Sequence, residues 1–256
     1  MIWKSALLAC VLMLAGRQDM GPAQTAAFGS SSPPTSPSFV GYTYVSNTTT
    51  NVYTTITSPA MLIGPNELLI AYCRSANTNS SSDLPTVAPT ENATGSSFVV
   101  IGTDVTSGYN VGQMAYLYLG PGATVASSTF TCTPSAASNY QAMVVLKFAV
   151  PAVSLNTSST TIEDSTLTTI TSGQFTTTSA PTMNIFCASG GGGDSFSAGD
   201  IAGSTATLVA VDEPSLTDSG MVACEWNTSS SVVSAATGTM TTSGTNYVAI
   251  LGAFSY

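Results

Sequence analysis

Thirteen carboxylates and no histidine bound the chemistry open to this 256-residue chain. Without an imidazole, a Ser-His-Asp or Cys-His apparatus has no general base. Carboxylate pairs remain, and two carboxyl groups flanking a glycosidic bond can hydrolyse it. The candidates are Glu163-Asp164, Asp212-Glu213 and Glu225. Sugar-processing clefts also use aromatic platforms, and Trp226 is the one tryptophan beyond the N-terminal segment. A glycoside hydrolase therefore ranks third, behind two non-catalytic roles. The acids have a second chemistry. Calcium takes about six to eight oxygens from carboxylates and loop carbonyls. Asp194, Asp200, Asp212, Glu213 and Asp218 fall in loop-like stretches that hold such an ion if they meet at one end of the fold; otherwise they are solvated charges that keep the protein soluble. The best recognition candidate is Glu225-Trp226-Asn227, where a tryptophan at a strand end can stack on a sugar or peptide. The plainer role for that tryptophan is to close a core.

The stretch "GGGGDSFSAGD" from Gly190 to Asp200 contains Gly-Asp-Ser, which resembles the nucleophile block of the GDSL-type esterases. That chemistry needs a distant histidine, and the chain has none. The segment also lacks the lysine and following helix of a phosphate loop. It reads as a glycine-rich loop.

Charge excludes two classes of partner. Lys4, Arg17, Arg74 and Lys147 are the only basic residues. A nucleic-acid binder neutralises many phosphates with Lys and Arg, and an anionic membrane surface makes the same demand. Serine and threonine together number 76, of which 39 are threonine. Threonine is β-branched and favours strands, while little Lys, Glu or Gln is left for solvated helix faces.

The N-terminus reads as an export signal, residues 1–27. An uncharged run from Ser5 to Gly16 follows Lys4 and is too short to span a membrane. Small residues up to Ala27 offer a cleavage point, leaving a mature chain with no spanning segment. Cys10 follows "LLA" as in a lipidation site, but lies inside the apolar run itself. Residues 28–38 form a Ser/Pro linker, and the folded domain is expected over 39–256.

Four further cysteines, Cys73, Cys132, Cys187 and Cys224, suit two disulfides in an oxidising compartment. No pair is spaced C-x-x-C, so a zinc site is disfavoured. Of three connectivities, the expected one is a bridge within each half, Cys73–Cys132 and Cys187–Cys224. A Cys73–Cys187 bridge between halves is the competitor.

About twelve apolar runs separated by Gly, Pro, Asn and Ser clusters predict strands, among them "GQFTTTSA", "ATGTMTTS" and "YVAILGAFSY" as three separate ones. Thr129 to Thr133 alternates strictly, as a half-exposed strand should; Ala142 to Phe148, Lys147 apart, is apolar on both faces, as a strand covered on both sides should be. The fold expected is all-β, a single large antiparallel, jelly-roll-like β-sandwich. "NYQA" from Asn139 and "NYVA" from Asn246 match 107 residues apart, and Met114 and Met221 share that offset. Cys73 and Cys187 match at 114. These matches suggest two pseudo-repeated halves, about 39–150 and 160–256, that complete one sandwich together.

The runs "ELLIAYCRS", "YLYLG", "FTCTPS" and "YQAMVVLKF" resemble the strand pattern of exported bacterial and phage-encoded β-sandwich proteins of surfaces and virions. Asn66-Glu67 stands where such proteins often have Gly-Asp, and Phe130 where they carry an aromatic. The resemblance implies an adhesion-like setting on a surface or virion, not an activity; the partner expected from the recognition strip is carbohydrate or a protein surface. The first expectation is a non-enzymatic ligand-binding surface protein. The second is a self-assembling subunit of a filament, coat or tail that uses Phe39 to Ser58 as an exchanged edge strand.

Overall fold

The computed structural model describes residues 33–47, 55–76, 87–105, 110–134, 140–163, 167–191, 196–211 and 221–256. The segment expected to be an export signal lies outside them, and so does the expected linker up to residue 32. The described chain is built of strands. The first half carries β1 (Ser38–Asn47), β2 (Ile56–Thr57), β3 (Met61–Ile63), β4 (Glu67–Ala76), β5 (Val87–Glu91), β6 (Val99–Val105), β7 (Asn110–Leu119), β8 (Ala126–Ser128), β9 (Phe130–Pro134) and β10 (Tyr140–Ala149). The second carries β11 (Ser154–Glu163), β12 (Leu167–Thr171), β13 (Thr182–Gly191), β14 (Phe196–Ser197), β15 (Asp200–Ile201), β16 (Ser204–Thr205), β17 (Thr207–Val211), β18 (Met221–Ser229) and β19 (Thr239–Ser255). Nineteen segments replace the twelve expected, because short outer strands add to the long central ones. No helix among the described residues is long and apolar enough to cross a membrane.

Two antiparallel sheets form the sandwich, sorted by halves. One has the order β1-β10-β4-β7-β6 and the other β11-β19-β13-β18-β17, with β12 and β14 also pairing to β19. The strand order of the first half is thus repeated in the second. Between the sheets lies one core of Leu68, Ile70, Tyr72, Val144 and Phe148 against Met183, Ile185, Val248, Ile250 and Phe254. Each sheet's outer face is also buried. The β2-β9-β5 and β3-β8 sheets cover the first over Leu69, Ala71, Met143 and Phe130. A second outer cluster of Phe186, Ala188, Met240, Tyr247 and Leu251 lies on the other sheet. That is why Ala142 to Phe148 is apolar at nearly every position: each residue faces one core or the other. Phe130 and Cys132 are buried while Thr133 is exposed, as strict alternation predicts.

The duplication is real in topology, but its residue match differs from the one read in sequence. A 107 offset sets Ala142 on Ala249, yet Ala142 faces the inter-sheet core and Ala249 the outer cluster. A slip of one residue turns every side chain to the wrong face. At 106, Ala142, Val144 and Phe148 superpose on Val248, Ile250 and Phe254, all in the same core. Finer features repeat in that frame. A bulge between Phe39 and Gly41 recurs between Leu155 and Thr157, each opposite a matching pair, Phe148 and Phe254. The Val150 N–H donates to the Asn66 carbonyl, and the Tyr256 N–H to the Pro181 carbonyl. Ser58 exchanges hydrogen bonds with the backbone of Phe130, and Ser172 does so with Gly238. Tyr116 meets Phe254 edge-to-face at 5.3 Å across the sheets, and Trp226 meets Phe148 likewise at 5.2 Å.

Both disulfides have the expected connectivity, Cys73–Cys132 and Cys187–Cys224. The two bridges do not occupy equivalent places in the repeat, however. Cys187 and Cys224 are directly paired neighbours facing the inter-sheet core, with Cα atoms 4.1 Å apart. Cys73 faces the outer core and reaches from β4 to β9, Cα 6.4 Å away. In the repeat frame, Tyr72 and Met114 hold the place of Cys187 and Cys224.

Candidate functional site

Alternation along β18 decides the fate of the Glu225-Trp226-Asn227 strip. Cys224 and Trp226 face the inter-sheet core, so Glu225 and Asn227 face outward. Trp226 is half-buried against Phe148, and its Nε1 is buried without a hydrogen-bond partner. It occupies the place of Tyr116 in the repeat and packs at the edge of the inter-sheet core.

Glu225 is fully buried, flanked in register by Phe186 on β13 and Leu208 on β17. Its Oε2 accepts the Gly199 N–H at 2.8 Å, while Oε1 is buried with no partner. Burial pushes this carboxyl up to about 7; the Gly199 N–H opposes the rise and the Asp200 charge adds to it. Gly199 fits here because a Cβ would overlap the Thr239 carbonyl. From Gly199 the chain enters the β15–β16 hairpin, whose turn residues Ala202 and Gly203 have φ of 55° and 70°. Two consecutive positive φ values make the tight turn whose twist suits a hairpin.

Asn227 ties the same hairpin down. Its Nδ2 donates to the Ile201 and Ser204 carbonyls at 2.8 and 3.1 Å. Its Oδ1 accepts from Asn184 Nδ2 at 3.0 Å. This chain of donors fixes both amides, so Asn184 Oδ1 must be an acceptor, and it is buried without a donor. The strip that looked fit for a ligand is therefore engaged by the chain's own hairpin.

Asp200 is exposed, its backbone bonded to Thr239 Oγ1. The other expected calcium ligands, Asp194, Asp212, Glu213 and Asp218, lie outside the described residues, as does Asp164. Among the described residues no three acidic, cysteine or histidine side chains gather as a metal site.

Sequence reasoning missed what the remaining described charges do. Glu91 accepts from the N–H groups of Ala93, Thr94 and Ser96 and from the hydroxyls of Thr94 and Ser128. Burial acts to raise its carboxyl, but the bonds from Thr94, Ala93 and Ser128 outweigh it and lower it to about 2. Glu67 accepts the Gly64 N–H at 2.7 Å and pairs with Lys147 at 3.4 Å. Burial raises its carboxyl against the pull of Lys147. Lys147 also donates to the Leu62 carbonyl at 2.7 Å. Arg74 is buried and donates to Asn110 Oδ1 at 2.6 Å. A Glu followed at short range by Thr and Ser is the only trace of the Glu91 loop in the sequence.

Hydroxyls occupy the outer surface instead. Thr57, Thr131 and Thr90 stand in one rank across β2, β9 and β5, with the Thr57 and Thr131 hydroxyls 3.4 Å apart. Thr55 and Thr133 form the next contact at 3.3 Å. The second half answers with Thr169, Thr241 and Ser197 across β12, β19 and β14. No protein-family model, curated protein or solved structure matches the chain.

Proposed function

We propose that this chain is a non-enzymatic exported surface protein, a β-sandwich of ligand-binding or adhesion type whose partner is a neutral, hydroxyl-rich surface such as carbohydrate. One observation carries the reading. Both basic side chains of the described domain are buried, and Glu67, Glu91 and Glu225 are turned to backbone N–H groups of their own fold. Outward on β2, β9, β5, β12, β19 and β14 stand ranks of threonine and serine, which can exchange hydrogen bonds with a sugar surface but cannot neutralise a phosphate. Two disulfides suit an oxidising compartment, outside the cell or on a virion.

Co-sedimentation of the mature protein with insoluble polysaccharides tests the proposal. Retention is expected, and it should persist at 1 M salt because neutral hydroxyl contacts are not screened. No retention on any polysaccharide, retention lost at high salt, or release of reducing sugar would each defeat it.

A second reading, a self-assembling structural subunit, rests on β1. This ten-residue edge strand contains no charged residue and pairs with β10 alone among the described residues. Charges and bulges are the usual protection of such an edge, and β1 has only its bulge at Phe39. Light scattering on size-separated protein distinguishes the two: a monomer up to about 100 μM rejects the subunit.

A further inference from the structure

Glu225 and Asn184 present a chemical contradiction if Glu225 is ionised. They lie on neighbouring strands of one sheet and on the same outward face, as diagonal neighbours two register positions apart. Glu225 Oε1 and Asn184 Oδ1 are both buried and both without a donor. The amide cannot be turned to cure this, because Asn184 Nδ2 is committed to Asn227 Oδ1 and Asn227 Nδ2 to two hairpin carbonyls. Turning either amide would set donor against donor or acceptor against acceptor. The strip's donors are all committed, and these two buried acceptors are left without one.

We propose that Glu225 is a proton-controlled latch: as the neutral acid its Oε1–H supplies the missing donor while Oε2 holds Gly199, and as the carboxylate it favours opening of the Asp200–Thr205 hairpin. A neutral acid leaves no buried charge. An ionised one puts a charge between Phe186 and Leu208 with a single N–H to stabilise it. The groups around it offer no compensation. Phe186 faces it from β13 and Leu208 from β17. Phe196 of β14 belongs to the apolar cluster on the same face. From β15, Asp200 adds a like charge. Arg74 and Lys147 belong to the other sheet.

The hairpin is the element able to move. It is only two residues long on each side. It is held by the Glu225 and Asn227 contacts, by the Ala202 N–H on the Thr237 carbonyl, by Thr239 Oγ1 and by the buried side chain of Ile201. Lifting it hydrates Glu225 and uncovers Asn184, Glu225 and Asn227 beside Phe186. The raised carboxyl agrees with this geometry: a shift from an ordinary 4.5 to about 7 weights opening by up to about 300-fold once the group ionises.

The test uses the mature chain, with 13C-labelled glutamate carboxyls followed by NMR from pH 4 to 9 and amide exchange measured at Gly199 to Thr205. Exchange rates are corrected for their intrinsic pH dependence. The Glu225 signal, assigned by its loss in E225Q, should titrate near pH 7. Hairpin protection should fall across the same range in the wild type and stay level in E225Q. Asp200→Asn removes the like charge, so both midpoints should move down together; this variant keeps the test decisive if E225Q does not fold. A Glu225 midpoint near 4.5 overturns the latch. So does a midpoint near 7 with unchanged hairpin protection, an equal loss of protection in E225Q, or a D200N variant in which the two midpoints separate.

Discussion

Replacing Tyr72 with phenylalanine removes one oxygen from the middle of the sandwich. Its hydroxyl donates to the Val248 carbonyl at 2.9 Å and lies 2.9 Å from Ser189 Oγ, so the Ser189 hydroxyl donates to it. Both partners belong to the second half, 176 and 117 residues away in sequence. The substitution loses two bonds of about 1 kcal/mol net each and leaves Ser189 buried without its acceptor, costing about 1–3 kcal/mol more. The expected loss is about 3–5 kcal/mol. In a domain of this size that lowers Tm by about 6–20 °C. Gly112 supplies an internal control. A Cβ there would meet the Tyr72 hydroxyl and come within 2.7 Å of Val248 Cγ1. Gly112→Ala should therefore destabilise the wild type, and should cost less in the Y72F background, where part of the obstruction is gone. Urea unfolding of the four proteins measures the cycle. A Y72F variant within about 0.5 kcal/mol of wild type, or a G112A cost that is the same in both backgrounds, refutes the reasoning.

The pH profile of stability should have two limbs. Glu91, lowered to about 2, stabilises the fold above its ordinary 4.5, and that contribution is lost as pH falls from 4.5 toward 2. Glu225, raised to about 7, acts oppositely: its contribution is complete below 4.5 and is lost as pH rises toward 7. Chemical unfolding between pH 2 and 9 should show the E91Q variant flattening the acid limb and E225Q the neutral one. Non-reducing peptide mapping should return Cys73–Cys132 and Cys187–Cys224. Reducing either bridge, which close 59 and 37 residues, should cost about 4 kcal/mol in the chain-entropy account. Ala202→Gly should stabilise the protein by up to about 1 kcal/mol, since alanine holds a left-handed φ of 55° there; a loss of stability in thermal melts would contradict the turn.

Long central strands were legible in sequence because each carries an unbroken apolar run. β4, β7, β10, β13 and β18 all fall where such runs predict them. Two runs, "ATGTMTTS" and "YVAILGAFSY", prove to be one 17-residue strand, β19. Its first part pairs with the outer β12 and β14 and its second with β11 and β13. No proline breaks it, so the change of layer leaves no mark. "GQFTTTSA" yields a single bridge, Phe175 to Ala236, because its threonines bond side chain to backbone across a loop. β11 escaped notice since "SLNTSSTTIE" has few apolar residues to alternate. The β15–β16 hairpin escaped because its turn is Ala-Gly, without the usual Asn or Asp. The candidate strip at Glu225 was visible as a residue pattern. Its orientation was not, because which residue of an alternating pair faces the inter-sheet core depends on a register set by the other half.

Each half thus depends on the other for its core, and a chain ending at Pro151 separates them. Such a chain keeps the first sheet and its outer covering but leaves Leu68, Ile70, Tyr72, Val144 and Leu146 without the opposing sheet. Amide NMR and thermal unfolding of the truncated protein should show poorly dispersed signals and no cooperative transition, beside a single sharp transition for the full chain. Dispersed amides and a sharp melt in the truncated chain would mean that the first half folds alone, and the account of one shared sandwich would be wrong.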